Sequence, residues 1–201
     1  MNTIFDPLDT THDTMARLQE RLAVRADGEH LLDVGYRTVD SPVGSLLLAA
    51  TDRGLVRVAF AGEGHDTVLE MLARQISPRI LRAPKRLDLA ARELDEYFDG
   101  RRTGFDLALD LRLAHGFRLE VLEHLREIGY GTTESYTVVA AAAGSPRAVR
   151  AVGTACATNP VPVVVPCHRV VRSDGTPGAY RGGPEAKQTL LDLERRTLAS
   201  S

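Results

Sequence analysis

The sequence has no tryptophan, 5% aromatic residues and only two cysteines in 201 positions. Two cysteines cannot build the disulfide framework of a small secreted domain, and a free thiol suits a reducing cytoplasm. No apolar run approaches the roughly 18 residues that a membrane span needs. The opening "MNTIFDPLDTTHDTM" is acidic and lacks an apolar h-region, so it does not read as a secretory signal. A cytoplasmic protein with no membrane partner is the expectation. Excess basic charge is missing too: 25 Lys+Arg stand against 27 Asp+Glu, a formal net charge of -2. Global charge therefore argues against a nucleic-acid binder.

What is present is unevenly placed. Residues 1–113 carry 15 Lys+Arg against 19 Asp+Glu, whereas residues 114–201 carry 10 against 8. The window 145–187 has a local net charge of +4, which permits contact with a polyanion at that place alone.

Patterning divides the chain in the same way. Residues 1–30 read as an N-terminal extension, with Met15, Leu18 and Leu22 at helical spacing and Thr11 or Asp13 as a possible cap. Residues 31–113 read as a small α+β domain. "DVGYRTVDSPVGSLLLAATDRGLVRVAF" is an antiparallel meander of about three strands, broken by the turn signals "DSPVG" and "TDRG". "DTVLEMLARQI" and "LDLAARELDEYFDG" are amphipathic helices, and "GFDLALDLRL" alternates like one more strand. Residues 114–201 are mainly helical. Phe117, Val121, Leu122, Leu125 and Ile128 share one helix face, with Gly129 as its end. Ser135 caps the short helix "YTVVAAAAG", and "SPRAVRAVGTACATN" follows with Ser145 as cap and Pro146 at the first helical position. Two short helices joined by a glycine turn form a helix-turn-helix pattern, which alone is weakly specific. "GPEAKQTLLDLERRT" is the last amphipathic helix.

The chemistry concentrates in "NPVPVVVPCHRVV", residues 159–171. A free cysteine is usually a small buried hydrophobe, and Cys156 inside its Ala-rich helix fits that role. Cys167 does not. It follows Pro166 and precedes His168, Arg169 and Arg172, neighbours expected to lower its pKa and favour thiolate. Metal binding lacks paired ligands at zinc spacing, so no metal is expected. In an uninterrupted strand Cys167 and His168 would face opposite ways; Pro162 and Pro166 argue for a turn that lets the imidazole reach the sulfur. A histidine base also needs a partner fixing its tautomer, and Glu194 on the last helix is one candidate.

This stretch, with "SYTVVAAAAGSPRAVRAVGTACATNP" before it and "GAYRGGPEAKQTLLDLE" after it, resembles the O6-alkylguanine-DNA alkyltransferases, the methylated-DNA–protein-cysteine methyltransferases. The Pro-Cys-His-Arg-Val core is the specific part; the likeness runs from about Val34 to Leu198 and is strong from Phe117 on. It implies a small RNase H-like α/β domain packed on a mainly helical domain with a helix-turn-helix. It implies a protein that flips O6-alkylguanine, and O4-alkylthymine, out of double-stranded DNA and takes the alkyl group irreversibly on Cys167. It would act once, as a monomer, without a cofactor. In that scheme His168 removes the thiol proton through a water, Glu194 orients His168, and Asn159 hinges the groove helix to the reactive segment. Arg150 fills the space left by the flipped base, and Tyr136 protonates the leaving guanine. Ala151, Thr154 and Arg169 join Arg150 and Tyr136 in facing DNA. Val170, Tyr180, Arg181, Cys156 and Lys187 line the base pocket. Gly129 replaces the family's usual proline and is expected to loosen the following turn; Ala179 replaces a frequent glycine.

Three other readings compete. A cysteine hydrolase would bring its histidine from far along the chain. A binding module for alkylated bases has no use for Cys167. A transcription regulator needs base-reading amides, in which "PRAVRAVGTACA" is poor.

Overall fold

The computed structural model describes residues 7–199, with side chains from residue 14 onward except residue 16. Strands β1 (Val34–Val39), β2 (Leu46–Thr51) and β3 (Gly54–Phe60) form the expected antiparallel meander, and β4 (Ile80–Arg82) adds in parallel beside β1. The sheet order is β3-β2-β1-β4. Every residue of β2 is buried, because both faces of the sheet are covered. One face, with Val34, Leu47, Ala49 and Val56, packs on Val68 and Leu72 of α2 (His65–Gln75). The other face meets α3 (Asp88–Phe98) and the whole C-terminal half in a single core.

That second half holds α4 (Phe117–Leu125), α5 (Tyr136–Ala142), α6 (Val149–Ala157) and α7 (Gly183–Ala199). Val121, Leu122 and Leu125 of α4 are buried as expected and Phe117 is half-buried, but the helix stops at Leu125 rather than at Gly129, and Ile128 is buried from the turn that follows. The Ser135 hydroxyl caps α5 by accepting from the Val138 N–H at 3.3 Å. A short parallel pair, β5 (Glu134–Ser135) with β6 (Val170–Val171), ties the start of α5 to the reactive segment. No helix among the described residues is long and apolar enough to cross a membrane.

Several local expectations are corrected. Helix α1 (Pro7–Gly28) is already formed ahead of Thr11 and Asp13, whose side chains lie outside those described. It docks through Ala23 and Ala26 against Ala83, while Met15, Leu18 and Leu22 face solvent at 52%, 51% and 56% exposure. Small residues allow close approach, and the Lys85–Glu20 and Arg86–Asp27 ion pairs fix the contact. Residues 104–113 are not a strand: they touch β3 through one bridge, Leu55 to Leu109, with the Leu55 N–H donating to Ala108 O at 2.9 Å. Helix α6 begins at Val149 rather than at Pro146, because the Ala148 N–H bonds Ser145 O at 2.8 Å and closes a turn first.

Candidate active site

The segment after α6 is buried throughout, from Asn159 to Val171. Its apolar side chains draw it into the shared core, and its prolines prevent a regular ladder. Pro162 and Val165 pair across a tight turn, with the Val165 N–H donating to Val161 O at 2.9 Å. Val163 within that turn has φ of 73°, a conformation a β-branched residue rarely adopts. The chain then enters a single 3-10 turn, Cys167–Arg169. This turn, expected after Pro166, replaces the extended strand in which Cys167 and His168 would face opposite ways.

Asn159 holds the segment in place. Its amide Nδ2 donates to Val165 O at 2.8 Å and to Cys167 Sγ at 3.1 Å, and its Oδ1 accepts from the Val161 N–H at 3.0 Å. From the N-terminal half, Arg57 and the Val58 N–H both donate to Pro160 O, at 3.0 and 2.9 Å. The sheet therefore anchors the residue next to the asparagine.

Glu194, on α7, is fully buried and collects donors from four residues in three segments. Its Oε1 accepts from Tyr97 Oη at 2.7 Å, Arg169 Nη2 at 2.8 Å and His168 Nε2 at 2.9 Å. Its Oε2 accepts from the Gly131 N–H at 2.9 Å and Arg169 Nε at 3.0 Å. Burial pushes this carboxyl up, but hydrogen bonds from His168 and Arg169 outweigh it and hold it at about 2. Burial pulls the His168 pKa down, more than the Glu194 carboxylate raises it, so the resting imidazole is neutral. With Nε2 donating to a carboxylate, Nδ1 is the bare nitrogen; it is buried and has no hydrogen-bond partner among the described residues.

The thiol departs from expectation. Cys167 is 2% exposed, and burial pushes it up to about 11 against the Asn159 hydrogen bond and the Lys187 charge. Its basic neighbours do not lower it. Arg169 is occupied by Glu194, and Arg172 turns back to Thr176 Oγ1 and Pro177 O at 3.2 and 2.9 Å. The resting group is a protonated thiol.

The sequence-predicted residues separate into three places. Asn159, His168, Val170 and Glu194 are buried like Cys167, each 0–1% exposed; Asn159 bonds the sulfur, and His168 bonds Glu194. Lys187, also buried, donates to Val170 O at 2.6 Å, and Cys156 faces the core beside it. Burial lowers the Lys187 pKa, and the two thiols pull it back up. Tyr136, Tyr180 and Arg181 lie together around the loop before α7. A Cβ on Gly178 would lie 2.1 Å from Tyr136 Oη, so the loop rests directly on that phenol. Tyr180 sets its ring edgewise to His168 and Phe60, and Arg181 Nε reaches Glu63 at 3.3 Å. Arg150, Ala151 and Thr154 lie on the exposed face of α6.

Arg169 is a correction. It does not face DNA: its guanidinium is buried, paired with Glu194, bonded to Ile128 O and stacked 5.6 Å from the centre of Tyr130. The turn after α4 is also firmer than Gly129 suggests, since Gly129 O accepts from both the N–H and the hydroxyl of Thr132 and Gly131 is tied to Glu194. Tyr97 is the residue that sequence reading misses. Its spacing on α3 marks only an apolar face, and its partner is 97 residues away.

A sheet domain fused through one core to a helix-turn-helix half, with a buried cysteine held at their junction, defines a DNA-binding type of protein. Two family models match: the 6-O-methylguanine DNA methyltransferase ribonuclease-like domain over residues 34–111, and the DNA-binding domain of the same family over residues 116–196. The chain belongs to the 6-O-methylguanine DNA methyltransferase family. It is 40% identical over 163 residues to the methylated-DNA–protein-cysteine methyltransferase of Mycolicibacterium paratuberculosis, covering 81% of this chain and 93% of that one. The inducible enzyme of that name from Bacillus subtilis is 38% identical over 150 residues, 74% of this chain and 83% of the other. The crystal structure of Mycobacterium tuberculosis O6-methylguanine methyltransferase superposes with a TM-score of 0.72 at 36% identity, over 82% of this chain and 94% of that one. A second structure from that organism, in complex with DNA, gives 0.70 at 38% identity, over 81% and 94%. Helix α1 lies outside both family matches.

The Glu194 arrangement has a consequence for acid stability. A carboxyl held at about 2 when folded, against an ordinary value of 4.5, stabilises the fold above pH 4.5 and loses that contribution as pH falls towards 2. The change is worth about 3 kcal/mol. Urea melts at stepped pH should show this slope in the wild type and a flatter one in Glu194→Gln.

Proposed function

We propose that the protein repairs alkylated duplex DNA by moving the alkyl group from guanine O6 to its own Cys167, once per molecule. The observation that carries this reading is the pairing of Asn159 with the Cys167 sulfur beside a neutral His168 whose Nε2 is fixed on Glu194. The names of the curated relatives and the DNA-bound neighbour support it.

The steps follow from the groups present. His168 Nδ1 takes the thiol proton through one water, and Glu194 stabilises the imidazolium that forms. General-base assistance of this kind contributes about 10²–10⁴-fold. Asn159 and Lys187 offset part of the cost of charging a buried sulfur. The thiolate attacks the alkyl carbon, an S–C bond forms, and the C–O bond breaks with its electron pair going to the base. Tyr136, whose pKa burial raises so that it keeps its proton, protonates the departing guanine and recovers a proton from the imidazolium through solvent. The product is a thioether, which no group at the site can cleave, so the protein is consumed. The alkyl donor is the DNA itself, and the reaction as written needs no cofactor. O4-alkylthymine presents the same alkyl–oxygen bond beside a ring nitrogen and is a second substrate.

A sulfur only 2% exposed cannot meet a base still in its stack. The base must be extruded, at a cost of a few kcal/mol, and the loop carrying Gly178 and Tyr180 must shift from Tyr136. Exposed Arg150, near the start of α6, is long enough to occupy the gap in the duplex. Ala151 and Thr154 add a small, close-fitting face beside it. One copy of the chain contains every group invoked, so the working unit is a monomer.

Incubation with an oligonucleotide carrying O6-methylguanine should add one methyl group to the peptide containing Cys167, and none after Cys167→Ser. Transfer persisting in that variant would refute the assignment. Arg150→Ala should slow repair of duplex DNA by about 10- to 100-fold, the scale of a few kcal/mol of flipping cost. Reaction with free O6-benzylguanine should hardly change; equal losses on both substrates would remove Arg150 from base extrusion.

A further inference from the structure

Tyr97 belongs to α3 of the N-terminal half, yet its hydroxyl lies inside the Glu194 cluster. The residue is fully buried. Its Oη donates to Glu194 Oε1 at 2.7 Å, the shortest of the bonds to that oxygen, and stands 3.5 Å from His168 Nε2. The ring is wedged between Phe98, Phe105 and Tyr130, with centroids at 5.4, 5.2 and 5.9 Å, so the hydroxyl has little freedom to turn away.

We propose that Tyr97 is a positioning residue for alkyl transfer: by sharing Glu194 Oε1 with His168, it sets how strongly that carboxylate holds the imidazolium. This rests on the assignment of His168 and Glu194 to proton transfer. An acceptor oxygen divides its negative charge among its donors, so each added donor weakens its pull on the others. Burial, and next the Glu194 charge, push the Tyr97 pKa far above the usual range, so it remains a neutral donor. Without it, Glu194 Oε1 would keep only Arg169 and His168 and would hold the imidazolium more strongly. A histidine already protonated cannot accept the thiol proton. Tyr97 thus keeps the base available, and the N-terminal half tunes chemistry performed by residues of the C-terminal half.

The other groups facing this pair are Arg169 from the same turn, the Gly131 N–H, Lys187 from α7, Tyr180 from the loop and Tyr130 behind Arg169. Among these Arg169 and Lys187 act on His168 in the same direction, lowering its pKa through their positive charge. They are unchanged by a substitution at Tyr97.

The test is the pH dependence of the single-turnover transfer rate, measured with saturating duplex DNA carrying O6-methylguanine. Tyr97→Phe keeps the ring and removes the donor. Its acid limb should move up by about half to one pH unit, where one unit is a tenfold change in proton affinity. Replacing Tyr97 by 3-fluorotyrosine, a stronger donor of nearly the same shape, should move the limb down; this variant decides the matter should Tyr97→Phe fail to fold. DNA affinity should stay at the wild-type value. Acid limbs unmoved in both variants, with Glu194→Gln slowed, would overturn the role of Tyr97 alone. An unaltered rate and profile in Glu194→Gln would instead overturn the proton-transfer reading beneath it.

Discussion

The carboxylate of Glu194 is the point on which the rest of the structure depends. A buried charge costs several kcal/mol unless its lone pairs are satisfied. Here they are met by Arg169 and His168 from the reactive turn, Gly131 from the turn before α5 and Tyr97 from the N-terminal half. One side chain therefore fixes the imidazole, clamps the 3-10 turn that carries Cys167, and joins both halves of the molecule. Removing it would leave a buried guanidinium and a loose histidine together.

This network explains a thiol that is poised but not charged. Burial holds the Cys167 thiol up to about 11, so it keeps its proton at rest. In the proposed reaction that proton passes to the neutral His168, whose partner carboxylate is able to hold the resulting cation. In that reaction the Asn159 amide and the Lys187 ammonium are already in place, so little reorganisation would accompany attack. The loop before α7 rests on Tyr136 at Gly178, meets Phe60 of the sheet domain through Tyr180 and reaches Glu63 through Arg181.

Much of this was legible in the sequence, and the rest was hidden for physical reasons. The meander, the apolar face of α4 and the Ser135 cap are local, and local patterns announced them. Cys167 beside His168, directly after Pro166, marked the turn that the site is built on. Glu194 was one of several carboxylates that the last helix offered to His168, and only the family resemblance singled it out, since a glutamate on an amphipathic helix looks like any solvated charge. Arg169 was misread because the sequence shows an arginine near a basic window but not the carboxylate that buries it. Tyr97 gave no signal, because its role arises from tertiary packing between residues far apart in the chain. The start of α6 and the segment 104–113 failed differently: turn hydrogen bonds at Ser145 and a single bridge to Leu55 overrode plausible helix and strand patterns.

The account's central claim is that His168 rests neutral, with its proton on Nε2 facing Glu194 and Nδ1 left bare to receive the proton of Cys167. Nitrogen-15 NMR of histidine-labelled protein near neutral pH reads this directly. The account predicts a neutral ring with Nε2 protonated, and a shift to imidazolium only below the ordinary histidine range. A proton found on Nδ1, or an imidazolium already present at neutral pH, would contradict it.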